Sequence, residues 1–352
     1  METLFISRIL ASVACAVIYQ TQILFLQECS SARDRGMSSF LSGIWFAVVA
    51  LFSIIVGTDN LLGKRMDIAC AGIAVLNFFA FLAAFVFHET PKYLLLSRND
   101  RKEAKISITF YQGKTVDLKK AIEEIEAESV TNDPEIIKIN IFKVPYIRKA
   151  ILLSVLALQN TVAFWSILLS STYFLKDAGL ENDIAEYSTT LMAVSYVLGT
   201  CGGMFWIVKY SRRKTLLSFT VINVASLAMY AICAELTKHI LLFRYGCLFS
   251  LVIYGFSYGA GAGPTSRFIS GELVAQNFRS RVQACTVSIN QIVVIASTFA
   301  ILPLFKVIHA WSFVVLFVLP SIGSLIVLFL KLPETKNRPI DDIVKELIQG
   351  KN

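Results

Sequence analysis

At 352 residues, 55% hydrophobic and only 16% charged, with a mean hydropathy of +0.63, the chain departs from soluble domains, in which about 25% of residues are charged. The formal charge of +8 is spread between apolar blocks rather than along one exposed face, which argues against a nucleic-acid-binding surface. Those blocks are roughly 20 residues long, enough to cross a hydrocarbon core about 30 Å thick, so the composition indicates an all-α membrane protein built as a helical bundle.

The blocks are taken in chain order. Leu4–Leu26 lacks a basic flank before its apolar run and carries Arg8 inside it, so it reads as a span and not as a signal peptide. Ser38–Gly57 and Ile68–Phe87 come next. The one long polar interval then runs from His88 to about Lys149. Within it, Asp100–Phe110 and Val116–Glu128 have helical composition, with Lys119 and Lys120 at i, i+4 spacing from Glu123 and Glu124, and Pro134 and Pro145 punctuate the rest of the interval. These are surface helices under the bundle or a partner-binding segment. The remaining blocks are Ala150–Leu175, Glu186–Val208, Thr215–Glu235, Ile240–Ser270, Val282–Phe305 and Ala310–Leu330, giving about nine spans. The Ile240–Ser270 block is over-long, and Gly255, Gly259, Gly261, Gly263 and Pro264 are expected to loosen or kink it.

The expected organisation is a partial N-terminal bundle of three helices (1–87), a loop with short helices (88–149), a six-helix bundle (150–330) and a tail (331–352). Positive charge sets the orientation. A cytoplasmic loop places Arg33, Arg35, the Lys209–Lys214 cluster, Arg279, Arg281 and the tail on the same side, leaving only Lys64, Arg65, Lys176, Lys238, Arg244 and Lys306 outside. The N-terminus is then outside. Cys15, Cys70, Cys201, Cys233, Cys247 and Cys285 sit in apolar sequence without metal-ligand spacing, so neither a disulfide framework nor a zinc site is expected. His88, His239 and His309 lie at span edges, and no nucleophile constellation or phosphate loop is present, which excludes the common enzyme signatures. No metal and no cofactor is expected.

Five short polar motifs mark the span edges: QECSSARDRG, HETPKYLL, YSRRKTLL, GAGPTSRFISGELVAQNFRS and LPETKNRPIDDI. In this order and at these positions they resemble those of the sugar porter family of the major facilitator superfamily. The first is similar to GE-x-SP-x-x-x-RG through Glu28, Ser30, Arg35 and Gly36, with Ser31 at the proline position. The second is similar to PESPRWL through Glu89, Pro91, Lys92 and Leu94. The third resembles an acidic-R-x-GRR-x-LL connection, with Val208 at the acidic and Ser211 at the glycine position. The fourth keeps Gly263, Pro264, Glu272, Leu273 and Arg279 of GP-x-PW-x-x-x-EL-x-x-x-x-xR, and the fifth keeps Pro333, Glu334, Thr335, Lys336 and Arg338 of PETKGRTLEEI. ETPKYLL followed by FYQG is similar to the insect facilitated trehalose-transporter-like branch.

The resemblance covers Leu4 to Ile343 and implies facilitative sugar transport by alternating access, in a multi-pass protein of the plasma membrane. It implies that Glu28, Arg35, Arg212, Arg213, Glu272 and Arg279 form a cytoplasmic gate of ion pairs, with Glu89 and Glu334 as further acceptors. Partly solvated pairs of this kind bias a conformational equilibrium without locking it. The substrate, a hexose or disaccharide, needs amide and hydroxyl groups and an aromatic face. QNTVAFW matches the family's QQ-x-SGIN run, with Gln159 kept, an amide kept at Asn160 and Trp165 at the final asparagine position. SINQ keeps an asparagine at Asn290, with Gln291 at the neighbouring tryptophan position. Arg267 stands at the tryptophan position of GP-x-PW, where it either pairs with a carboxylate-bearing substrate or snorkels to the interface near Glu272. No unpaired Asp or Glu sits in mid-span to couple protons. The family's loop joins two six-helix halves, whereas three spans precede it here, so the first three helices of the family are expected to be missing. A truncated, non-transporting sensor or inactive member and an organic-anion transporter are the alternative readings.

Overall fold

The computed structural model describes residues 2–30, 35–58, 61–113, 116–130, 140–274, 276–336, 338 and 340–349. Ser31, Arg33 and Pro134 lie outside the described residues, as do the side chains of Arg35, Gly36, Glu124 and Val208. Among the described residues there are helices and connections and no strand.

Among the described residues, seven helical stretches are long and apolar enough to cross a membrane: Asp67–Ala84, Pro145–Asp177, Asn182–Ile207, Arg212–Leu236, Phe243–Glu272, Phe278–Ile308 and Trp311–Lys331. The shorter apolar helices Phe5–Ile18 and Leu41–Val56 occupy the first two expected blocks. The chain is an all-α, multi-pass membrane bundle. By contacts it divides into two compact units, one of residues 1–42 and 70–133, the other of residues 43–69 and 134–352.

The first unit holds α1 (Glu2–Cys29), the start of α2 (Arg35–Val56), most of α3 (Met66–Ala84) and the loop helices α4 (Pro91–Leu96), α5 (Arg101–Gln112) and α6 (Leu118–Val130). Local chemistry starts the loop helices. Thr90 caps α4 by accepting the Tyr93 amide at 3.3 Å, and Pro91 fills its first turn. Asp100 caps α5, accepting from Lys102 at 3.0 Å and Glu103 at 3.2 Å, and Gly113 ends it at φ +92. Leu94, Leu95, Ala104, Ile108 and Ile125 form a small core beneath these helices. The apolar window of α3 has no buried residue.

The second unit continues with α7 (Pro145–Gln159), α8 (Val162–Asp177), α9 (Asn182–Lys209), α10 (Arg212–Leu236), α11 (Phe243–Ser257), a π-helical turn (Tyr258–Ala262) and α12 (Gly263–Glu272). After these come α13 (Gln276–Ile308), a turn at Trp311–Phe313, a second π segment (Val314–Val318), α14 (Leu319–Lys331) and α15 (Ile340–Gln349). The expected span 150–175 lies in the one membrane-length stretch Pro145–Asp177, which a break at 160–161 divides into two helices. At the break, the Asn160 amide donates to the carbonyls of Leu156 and Ala157, and the Thr161 hydroxyl donates to the Leu158 carbonyl at 2.7 Å. These local bonds compete with the helical ladder.

The glycine-rich run does two jobs. It widens the helix into the π turn, as a loosened block was expected to do, and it lets helices touch. A Cβ on Gly259 would stand 2.5 Å from the Tyr196 carbonyl oxygen, and one on Gly203 would stand 2.4 Å from that of Ala260. Helix α9 therefore packs backbone-to-backbone on this segment, as small residues allow in membranes. One core, around Phe164, Phe174, Tyr230, Tyr254, Tyr258, Phe305 and Phe313, fills the bundle. A second, with Ile147, Leu216, Ile269, Leu273, Leu332, Ile343 and Leu347, closes the end at which α7 begins.

Candidate functional site

At that end of the second unit three sequence motifs converge. Glu272, the last residue of α12, pairs with the Arg212 guanidinium, and its Oε2 accepts the Thr335 hydroxyl at 2.6 Å. Arg212 also lies over the Phe268 ring, 5.4 Å from its centroid. Glu334 sits at the N-terminus of α10, where its carboxylate accepts the amides of Arg212 at 3.1 Å and Arg213 at 3.3 Å. An anion is favoured there because those amides have no helical partner. Burial raises the proton affinity of Glu334, but hydrogen bonds from Ser211 and from the amides of Lys336, Arg212 and Arg213 outweigh it. The carboxyl is held below its ordinary value.

The other expected gate residues are distributed differently. The Arg213 guanidinium donates to the Phe329 carbonyl at the end of α14 and so ties α10 to α14. Arg279 is half-buried and its stem covers Gly271, where a Cβ would stand 3.4 Å from its Cδ. In the first unit, the Glu28 carboxylate accepts the Thr90 hydroxyl at 2.7 Å. The adjoining Gln112 amide donates to the Cys29 carbonyl at 3.2 Å, and burial, assisted by Glu28, pushes the Cys29 thiol up to about 12. Glu89 is exposed, and its carbonyl accepts the Ser107 hydroxyl at 2.6 Å. The Arg35 side chain lies outside the described residues. Thr90 and Thr335 are both buried; Thr90 was not singled out in the sequence, and Thr335 only as a motif residue with no partner assigned, although each sits beside a motif glutamate, at 89 and 334.

The expected substrate residues gather around the α7–α8 break. Gln159 is half-buried and has no hydrogen-bond partner among the described residues. Asn160 is buried and turned to α14, donating to Ser324 Oγ at 3.0 Å. Asn290, on α13, donates to the Leu158 carbonyl at 3.1 Å and so holds α13 against the break. Trp165 is half-buried, edge-on to Phe46 with centroids 5.9 Å apart. Beside it, Phe164 lies parallel to Tyr258 with centroids 4.0 Å apart and planes 2° apart. Tyr258, fully buried, accepts a hydrogen bond from Arg267 Nη2 at 3.2 Å. The sequence reading missed Phe164 and Tyr258, which pass there for ordinary core aromatics.

The corner thus holds an ion pair that is only partly desolvated, Arg212 and Glu272 keeping 25% and 22% of their side-chain surface exposed. The α7–α8 break holds a half-buried amide at Gln159 near aromatic rings.

Comparison with known proteins gives the family. The family model described as "Sugar (and other) transporter" matches residues 1–347. The facilitated glucose transporter member 3 of Mus musculus is 26% identical over 98% of this chain and 70% of its own length, and that of Homo sapiens is 25% identical with the same coverage. Among solved structures, the proton:xylose symporter XylE bound to 6-bromo-6-deoxy-D-glucose is similar at a TM-score of 0.65 and 18% identity, over 91% of this chain and 69% of its own. The inward-open form of XylE from E. coli gives 0.58 at 16% identity, over 91% and 67%. With a family model spanning nearly the whole sequence and a major facilitator-type fold, the chain belongs to the sugar (and other) transporter family.

Proposed function

We propose that the protein carries a sugar across a membrane by facilitated, alternating access. The observation that carries this reading is the corner of Arg212, Glu272, Thr335 and Glu334, whose Arg212–Glu272 pair stays only partly desolvated. Such a corner biases a two-state equilibrium by a few kcal/mol, about the range in which the minor state stays populated. In this reading Gln159 and Asn290 supply polar contacts to sugar hydroxyls and Trp165 supplies the apolar face. Asn160 sets the helix break that positions them. Residues 1–87 and 150–330 are the bundle portions, and 88–149 is the loop between them. The excess of Lys and Arg in that loop and the tail supports a cytoplasmic placement for both, and we assign the protein to the plasma membrane. The protein acts as a transporter rather than an enzyme.

Uptake of a panel of labelled hexoses and disaccharides into proteoliposomes tests the proposal. Saturable flux that falls at least tenfold in Gln159→Ala is the expected result. Absence of flux for every sugar, from protein that remains folded and monodisperse, sinks it.

A further inference from the structure

The first unit contains a cleft of about 480 Å³ where the end of α1 meets the loop helices α5 and α6. Its size falls in the range of small-molecule sites. Leu26 and Val116 line it, and so does Cys29, whose buried thiol is kept neutral by a pKa pushed up to about 12. The rest of the wall includes five polar side chains: Ser30, Tyr111, Gln112, Asp117 and Lys120. The residues assigned above to sugar contact, Gln159, Trp165 and Asn290, belong to the second unit.

These polar groups are held in place by bonds that use only part of their capacity. The Tyr111 hydroxyl donates to the His88 carbonyl at 2.6 Å, which leaves its oxygen able to accept. Its ring is steadied edge-on by Phe25, with centroids 5.6 Å apart. The Gln112 amide donates one N–H to the Cys29 carbonyl at 3.2 Å, which leaves a second N–H and the amide oxygen. Asp117 Oδ1 accepts the amides of Lys119 at 3.0 Å and Lys120 at 3.4 Å, and Oδ2 makes no hydrogen bond among the described residues. Lys120 is exposed, and its ammonium makes neither a hydrogen bond nor an ion pair among the described residues. The wall therefore sets donors beside acceptors, and one cation offsets one anion. A phosphate would meet the Asp117 carboxylate, and an amine would meet the Lys120 ammonium. A neutral ligand with several hydroxyls, each able to donate and accept at once, avoids both repulsions.

We propose that this cleft is a second binding site, for a neutral polyol of monosaccharide size, apart from the residues at the α7–α8 break. Asp117 and Gln112 take its hydroxyls, and Lys120 donates from the rim. The walls come from α1, α5 and α6, so a bound polyol joins a membrane helix to the loop helices and stabilises that junction by mass action. The site stands on the cleft and does not depend on the sugar-transport reading.

The test is hydrogen–deuterium exchange of the purified, detergent-solubilised full chain, with sorbitol, glucose and glucose 6-phosphate as probes. With sorbitol or glucose at about ten times the dissociation constant read from the same titration, amides of α5 and α6 are expected to exchange about tenfold more slowly. Lys120→Met and Gln112→Leu are each expected to weaken that protection several-fold, and Gln159→Ala to leave it unchanged. No slowing with either neutral probe overturns the proposal, as does protection that survives both Lys120→Met and Gln112→Leu. Slowing shared equally by α13 and α14 would be exclusion of an osmolyte from the protein surface and overturns it too. Protection by glucose 6-phosphate at a tenfold lower concentration than glucose overturns the neutral class. Should Gln112→Leu fail to fold, Lys120→Met, at an exposed position, decides by the same criterion. Protection of α5 and α6 without flux in proteoliposomes would count against transport and support the cleft. Flux without that protection would do the reverse.

Discussion

The two units build the same device to different depths. In the first, Glu28 at the end of α1 takes the hydroxyl of Thr90 at 2.7 Å. In the second, Glu272 at the end of α12 takes the hydroxyl of Thr335 at 2.6 Å. Each threonine comes directly after a motif glutamate, in the runs HETPKYLL and LPETKNRP. The difference lies in the surroundings of the pair. Glu272 also holds Arg212, and the glutamate beside Thr335 caps α10. The glutamate beside Thr90 is exposed and its carbonyl alone is engaged among the described residues. A carboxylate that accepts one neutral hydroxyl marks a helix end. One that binds a guanidinium as well couples three elements, so among the described residues the second corner ties more of the fold together.

Breaking the second corner should cost most. Glu272→Gln leaves the Arg212 guanidinium without its carboxylate and is expected to lower stability by about 2–3 kcal/mol, the range for losing a charged hydrogen-bonded partner. Thermal unfolding in detergent measures it, and a loss no larger than that of Glu28→Gln would erase the distinction between the corners. Glu334→Gln removes the anionic cap of α10 and is expected to cost about 1–2 kcal/mol, as for other capping side chains.

The same residue sets a pH dependence. The folded-state pKa of Glu334 is depressed below 4.5, so its stabilisation is full above that value and is lost as pH falls through the lower, folded-state pKa. Wild-type protein should lose stability over that acid range more steeply than Glu334→Gln; parallel pH profiles would contradict this. Glu28→Gln keeps an acceptor for Thr90 and is expected to cost about 1 kcal/mol or less. Thr90→Val and Thr335→Val should each cost about 1 kcal/mol, close to equal because each removes one hydroxyl–carboxylate bond. A markedly larger loss for Thr335→Val would show that the hydroxyl, and not Arg212, is what strengthens the second corner.

Much of this architecture was legible in the chain. Blocks of apolar sequence gave the helices, and motifs at their edges gave the family, because both depend on local composition and spacing. The loop helices were expected at Asp100–Phe110 and Val116–Glu128 and stand at Arg101–Gln112 and Leu118–Val130, since their caps are short-range. The break at Asn160 was hidden because 150–175 is apolar throughout, and only side-chain bonds to the preceding turn reveal it. For the corner residues the sequence supplied identities but not partners. Glu334, expected as an acceptor of ion pairs, accepts backbone amides of α10, and Arg213 binds a carbonyl of α14. Such pairings span more than a hundred residues.

By itself the sequence determined that this is a helical membrane transporter-family chain with charged motifs at its helix ends. Hydrophobic length and local charge are properties of contiguous residues. Sequence leaves open which of two roles Arg267 plays, because it places the charge at a depth without giving its direction. The tertiary structure decided that direction. A π turn interrupts the helix, Phe164 from another helix stacks on Tyr258, and Tyr258 accepts a hydrogen bond from the guanidinium.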